Sequence, residues 1–243
     1  MVYKSKKQLK KLGDKQFLED IKKYIRSSHT FYETRVPELK VLAKRLHQEY
    51  DLNGFYRVFN KFWSSGYNEE KSLAISALQM YKEDFDIETW KFIKTKLKDV
   101  KSWDKIDSIS SGIIGEILIR NPKLEKEIIA MSKSENPWMK RTAIMASIPL
   151  IRALDIRLGM RFCEDYVNNK QKPIQEAIGK ILREIGEVKP NVARRFISKH
   201  LHMPLITFEI ATQNMKDMRK LRNIKPLASS SFEKLFFWKK GLE

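Results

Sequence analysis

A short pattern recurs along this chain at an almost constant interval. Ala74-Ile75 in KSLAISAL is followed by Ser108-Ile109 in IDSISSGI, Ala143-Ile144 in RTAIMASI, Ala177-Ile178 in QEAIGKIL and, more weakly, Ala211-Thr212 in FEIATQNM. The steps are 34, 35, 34 and 34 residues. Each copy sets a small residue within an apolar stripe spaced by three and four, the pattern of an amphipathic helix pressed closely on a neighbour. A period of this length marks stacked helical hairpins, whose units bury their apolar faces only against one another.

Tetratricopeptide units share the length, but their Trp, Gly and Tyr consensus positions are not filled here. HEAT-like helix pairs suit better, because Pro122, Pro137, Pro173, Pro190 and Pro204 stand where helices open. Strand alternation is almost absent, and glycine is scarce, at nine. The expected fold is all-α: an α-solenoid of HEAT-like repeats over 1–243 as a single domain, one helix per repeat lining a concave wall. The first 35 or so residues add a helix or two, FLEDIKKYIRSS being the clearest. The tail, 225–243, carries Phe232, Leu235, Phe236, Phe237 and Trp238 and reads as a cap on the last repeat or an amphipathic anchor.

Charge narrows the partners. Forty-eight Lys and Arg against thirty Asp and Glu give a formal net charge of +18. Solubility does not require that imbalance, and its self-repulsion opposes compactness, so a polyanion is the natural partner, nucleic acid first. No apolar run approaches the roughly 18 residues of a membrane span. The basic start MVYKSKKQLKKLGDK has no apolar core or cleavage site and is not read as a secretory signal. The lone Cys163, among apolar neighbours, reads as a buried structural thiol, and the four histidines form no ligand pattern. A cytoplasmic monomer without cofactor or metal fits, nucleoid-associated when bound to DNA.

One segment departs from the helical background. VKSWDKIDSISSGIIGEIL, 100–118, goes on to present Ile113, Ile114 and Ile117, yet opens with an indole, two carboxylates and four serines. Trp103 and Asp107 stand four apart and share a helical face. By itself Asp107 is an acid near a helix start, favoured by the helix dipole, and Trp103 by itself is core packing. Asp104 reads as a first-turn acid or cap partner of Ser102, and Trp90 and Trp138 as packing residues.

Four segments together carry a resemblance: KSWDKIDSI at 101–109, GEIL with Asn121-Pro122, NPWMKRTAIM at 136–145, and IQEAIGKILREIG at 174–186. RVPELKVLAKRL at 35–46 adds an early helix. The chain resembles the AlkD-like DNA alkylation repair family, HEAT-like-repeat DNA glycosylases that release positively charged alkylpurines of the 3-methyladenine and 7-methylguanine type. The resemblance runs from about residue 15 to 215. It implies Trp103 and Asp107 as the catalytic tryptophan and aspartate. It implies Arg141 as the arginine on backbone phosphate and Tyr24 on the DNA-facing surface; Lys140, beside Arg141, is read as a further DNA contact. Lys180 stands where the family's second cradle tryptophan should be; there it is read as a phosphate contact, and a Schiff-base role is conceivable.

The implied chemistry is coherent. A cationic purine departs as a neutral molecule, so positive charge develops on the deoxyribose. A fixed carboxylate stabilises that charge and orients water, as in glycoside hydrolysis. An ammonium at Lys180 opposes a cationic base, which keeps a second reading open: a non-catalytic HEAT-repeat protein binding branched or damaged DNA. A third reading is a scaffold for an acidic protein partner.

Overall fold

The computed structural model describes residues 36–100 and 102–222. Tyr24, the helices expected before residue 36 and the aromatic tail lie outside the described residues. Within them the fold is all helical, with no strand. Helix α1 is Val36–Glu49, α2 Leu52–Trp63, α3 Asn68–Leu78, α4 Ile87–Lys96, α5 Trp103–Ile109 and α6 Gly115–Arg120. There follow α7 (Glu125–Ser132), α8 (Pro137–Met145), α9 (Ile148–Arg152), α10 (Arg157–Tyr166), α11 (Lys172–Val188), α12 (Pro190–Lys199), α13 (Leu205–Ala211) and α14 (Lys216–Arg219).

Local chemistry sets where these helices begin. Asp51 caps α2 by accepting from the Gly54 backbone N–H, so Asn53-Gly54, a pair typical of hairpin turns, is spent on a helix start. Asp86 and Thr89 form a capping box at α4. Asn136 caps α8, with Pro137 in its first turn, and Pro173 and Pro190 open α11 and α12 in the same way. The spacing then buries Phe55, Phe59 and Phe62 on α2 and Ile174, Ile178, Ile181 and Ile185 on α11.

The helices stack as a solenoid. One row runs α3, α5, α8, α11, α13, each packed on the next; α2 backs α3, α4 backs α6, α7 backs α8 and α10 backs α11. Ala74, Ala143, Ala177 and Ala211 are fully buried in that row, while Ser108 keeps some exposure. The period is also written in the hydrogen bonds. Tyr56 to Thr89, Trp90 to Glu127, Ser132 to Tyr166 and Thr207 to Gln175 join residues 33, 37, 34 and 32 apart, one repeat to the next. Trp90 is thus an inter-repeat residue, and Trp138 is half-buried against the core. Cys163 is buried, and burial pushes its thiol well up. No helix among the described residues is long and apolar enough to cross a membrane.

Two segments that read as single helices are broken. EEKSLAISALQMY closes its α-helix at Leu78 and tightens into a 3-10 segment, Gln79–Asp84, which buries Tyr81 and leaves Met80 exposed. The segment after Val100 runs as α5, a π turn over Ser110–Ile114, then α6. Ser110 and Ser111 donate their hydroxyls to the carbonyls of Ile106 and Asp107, 2.5 and 2.7 Å away, a back-bonding that bends helices. The Gln79 side-chain amide enters the opened ladder and donates to the Ser108 carbonyl at 2.8 Å. Gly112 makes room: a Cβ there would lie 2.1 Å from Gln79 Nε2. The serines of this segment therefore shape the helix immediately after Asp107.

Candidate active site

Three adjacent members of the row meet at Asp107. Its carboxylate projects from α5 and is gripped by Arg141 of α8, whose Nε and Nη2 donate to Oδ1 and Oδ2 at 2.7 and 2.8 Å. Two parallel bonds of this kind are the strong form of a charge-assisted contact. Lys180 of α11 donates to Oδ2 from 2.6 Å, and its ammonium lies over the Trp103 ring, 5.1 Å from the centroid. Arg141 has another pair of acceptors on α11: the Pro173 carbonyl at 2.6 Å and Glu176 Oε2 at 3.4 Å.

Exposure ranks the members. The Arg141 side chain is 0% exposed, Asp107 13% and Lys180 18%. The Asp107 and Lys180 side chains therefore keep some exposure to solvent, and that of Arg141 keeps none. Burial works against the Asp107 anion, yet the Arg141 and Lys180 charges outweigh it and hold the carboxyl below its ordinary value. Burial likewise opposes the Arg141 charge, and Asp107 and Glu176 reverse that and raise it. For Lys180 burial leads and pulls the ammonium down; Asp107 props it up, and Arg141 and Arg183 pull it down again, leaving it lowered.

The geometry therefore puts an ionised, immobilised carboxylate beside an indole, within a helical repeat stack. A family model described as DNA alkylation repair enzyme matches residues 5–215 of the chain. The chain belongs to that family.

Solved structures agree with this DNA alkylation repair fold. A structure described as a predicted DNA alkylation repair enzyme from Enterococcus faecalis is similar at TM-score 0.73 and 17% identity, covering 84% of this chain and 97% of that one. AlkD2 from Streptococcus mutans is similar at 0.54 and 14%, covering 83% and 99%. The smu.31 protein of Streptococcus mutans UA159 gives 0.53 and 15%, covering 73% and 91%. At these identities the likeness speaks for the fold. No curated protein matches the chain.

Against the expectations for this family member, Trp103, Asp107, Arg141 and Lys180 converge. Arg141 corrects the expected phosphate clamp: its buried guanidinium is committed to Asp107, Pro173 and Glu176, so in this arrangement it positions the aspartate. Lys140, next in sequence, lies elsewhere, its ammonium 5.4 Å from the centre of the Tyr166 ring. Successive helical residues point about 100° apart, which parts these two side chains. Ser102 makes no side-chain cap; Asp104 instead pairs at 3.1 Å with Lys105, a buried lysine that also donates to Asn68 of α3.

Glu176 was not anticipated. Its signal was the repeat itself, since Glu176 precedes Ala177 as Asp107 precedes Ser108, leaving Arg141 between acids of equivalent position in the flanking repeats. Gln79 was missed as well, because a π turn has no sequence signature of its own.

Proposed function

We propose that this protein hydrolyses the N-glycosidic bond of positively charged alkylpurines, of the 3-methyladenine and 7-methylguanine type, in duplex DNA. The carrying observation is that Asp107, ionised and held by Arg141, shares a helix face with the partly exposed Trp103. A deoxyribose against the indole meets the carboxylate as positive charge grows on its anomeric carbon. Because Arg141 has already oriented the carboxylate, little reorganisation is needed when that charge appears. The indole face contributes about 0.5 to 2 kcal/mol of cation–π attraction. The base leaves neutral, and water held at Asp107 completes the exchange.

Lys180 has to yield in this scheme. Its ammonium covers Asp107 Oδ2 and the Trp103 face together, and a second cation beside the carboxylate cancels the field a cationic sugar needs. A DNA phosphate is an alternative partner for a flexible lysine, and exchange of Asp107 for phosphate uncovers the site. Release of methylpurine from methylated duplex DNA tests the reading. The wild type releases it and Asp107→Asn does not; no release by the wild type removes the proposal.

The Lys180–Asp107 contact also supports a second reading, in which the acid is a structural counter-ion and the protein binds branched or damaged DNA without cleaving it. Salt-sensitive binding without base release selects that reading, each phosphate neutralised adding about 0.9 to the logarithmic salt slope on duplex DNA.

A further inference from the structure

Lys180 is the one member of the cluster for which base hydrolysis has no use, and its surroundings are those of an activated amine. The Lys180 side chain is largely buried, 18% exposed, and its ammonium shares its neighbourhood with two guanidiniums, Arg141 and Arg183 of the next turn. A lysine becomes nucleophilic when it is desolvated or placed beside other cations, since both favour the uncharged amine. Its ion pair with Asp107 is also the dispensable one. If Lys180 gives up its proton, Asp107 keeps both hydrogen bonds from Arg141, so no buried carboxylate is stranded. Finally, Nζ lies over the indole face, so a sugar resting on Trp103 brings its anomeric carbon to the amine.

We propose that Lys180 is a nucleophile toward the aldehyde of an abasic deoxyribose, forming a Schiff base with C1′ and cleaving the strand on its 3′ side. The inference rests on the reading that a deoxyribose sits against Trp103, but not on this protein having removed the base itself. The ammonium first releases a proton to water past Asp107. The Nζ lone pair bonds to C1′ of the ring-opened sugar, and the carbonyl π pair moves to oxygen. That oxygen takes one proton from the nitrogen and a second from solvent and leaves as water, and the nitrogen lone pair closes the iminium. The iminium acidifies the C2′ hydrogens; one departs as a proton to solvent, and the 3′ C–O bond breaks with its electron pair on the phosphate. Water then hydrolyses the imine and returns the lysine. The 3′ phosphodiester is thus eliminated and no oxidant or reductant is consumed.

The test supplies the abasic site ready-made, so base excision plays no part in it. Duplex DNA with one uracil is treated with uracil-DNA glycosylase, mixed with the full chain and reduced with borohydride, which converts the iminium to a stable amine link. The expected result is a covalent protein–DNA adduct whose DNA-bearing peptide contains Lys180, together with 3′ strand cleavage in unreduced samples. Lys180→Arg keeps a cation against Asp107 and loses the nucleophile. With its fold verified by helical circular dichroism and a cooperative melt, it is expected to lose the adduct. Asp107→Asn is expected to lose methylpurine release while retaining the adduct, because the amine remains. No adduct with the wild type, an adduct persisting in Lys180→Arg, or one mapped to another lysine overturns the inference. Absence of methylpurine release by the wild type, with the Lys180 adduct intact, overturns the excision reading alone.

Discussion

Arg141 holds Asp107 from the adjacent repeat by two parallel hydrogen bonds, through a guanidinium that solvent does not touch. The pair ties α8 to α5, and the Pro173 carbonyl and Glu176 extend the same guanidinium to α11. Stability and the candidate chemistry therefore share one residue. Replacing Arg141 with Met, similar in length and uncharged, leaves Asp107 with Lys180 alone and deprives two acceptors on α11. Breaking a buried ion pair from one side costs about 3–5 kcal/mol. The expected outcome is a large fall in the urea midpoint of Arg141→Met, together with loss of methylpurine release.

Acid should weaken the same link. The folded carboxyl of Asp107 lies below its ordinary value, so the folded state binds that proton less readily than the unfolded chain does. Its stabilisation is thus complete above the unfolded value of about 3.9 and is lost as pH falls through the lower folded value. Asp107→Asn has no such titration. Urea unfolding of both proteins from neutral pH to about pH 3 should show the wild-type advantage constant at first and shrinking in acid. An advantage that grows in acid contradicts the assigned direction.

The π turn gives a prediction of a different kind. Gly112→Ala places a methyl group where Gln79 reaches the Ser108 carbonyl, so either the turn shifts or the hydrogen bond breaks. Overpacking costs about 1–3 kcal/mol, and loss of the hydrogen bond to the partly buried carbonyl about 0.5–1.5 kcal/mol. Gln79→Ala removes the obstructing amide. The double mutant is therefore expected to be more stable than the two single losses predict by addition, as a chemical-denaturation cycle measures.

A strained residue offers the opposite sign. Leu154 follows α9 with φ of 69°, in the left-handed region, and is mostly exposed. Asp155 N–H donates to the Leu150 carbonyl and Leu154 N–H to Ile151, the Schellman arrangement whose pivot is normally glycine. The left-handed conformation costs an L-residue about 1–2 kcal/mol. Glycine's greater entropy in the unfolded chain takes back about half of that. Leu154→Gly is expected to raise the urea midpoint, with no effect on methylpurine release.

Much of this architecture was readable from residue order. Ala74, Ser108, Ala143, Ala177 and Ala211 marked the row of helices one per repeat, and the prolines marked their starts. Trp103 and Asp107 were legible as a pair because both lie on one helix, where a spacing of four is enough to set them side by side. Lys180 was legible only through resemblance, and its partners not at all, since Asp107 is 73 residues away.

What residue order determined by itself was periodic burial: which faces are apolar, how often they recur, and hence that helices stack in register. Local spacing suffices for that, because an amphipathic stripe must be covered wherever it occurs. What only the tertiary structure decided was the fate of the charges. Arg141 turned inward rather than toward a phosphate because stacking set Asp107 and Glu176 on either side of it, where one guanidinium and two carboxylates compensate one another's desolvation. Helix rotation and inter-repeat distance choose such partners, and no single repeat contains either.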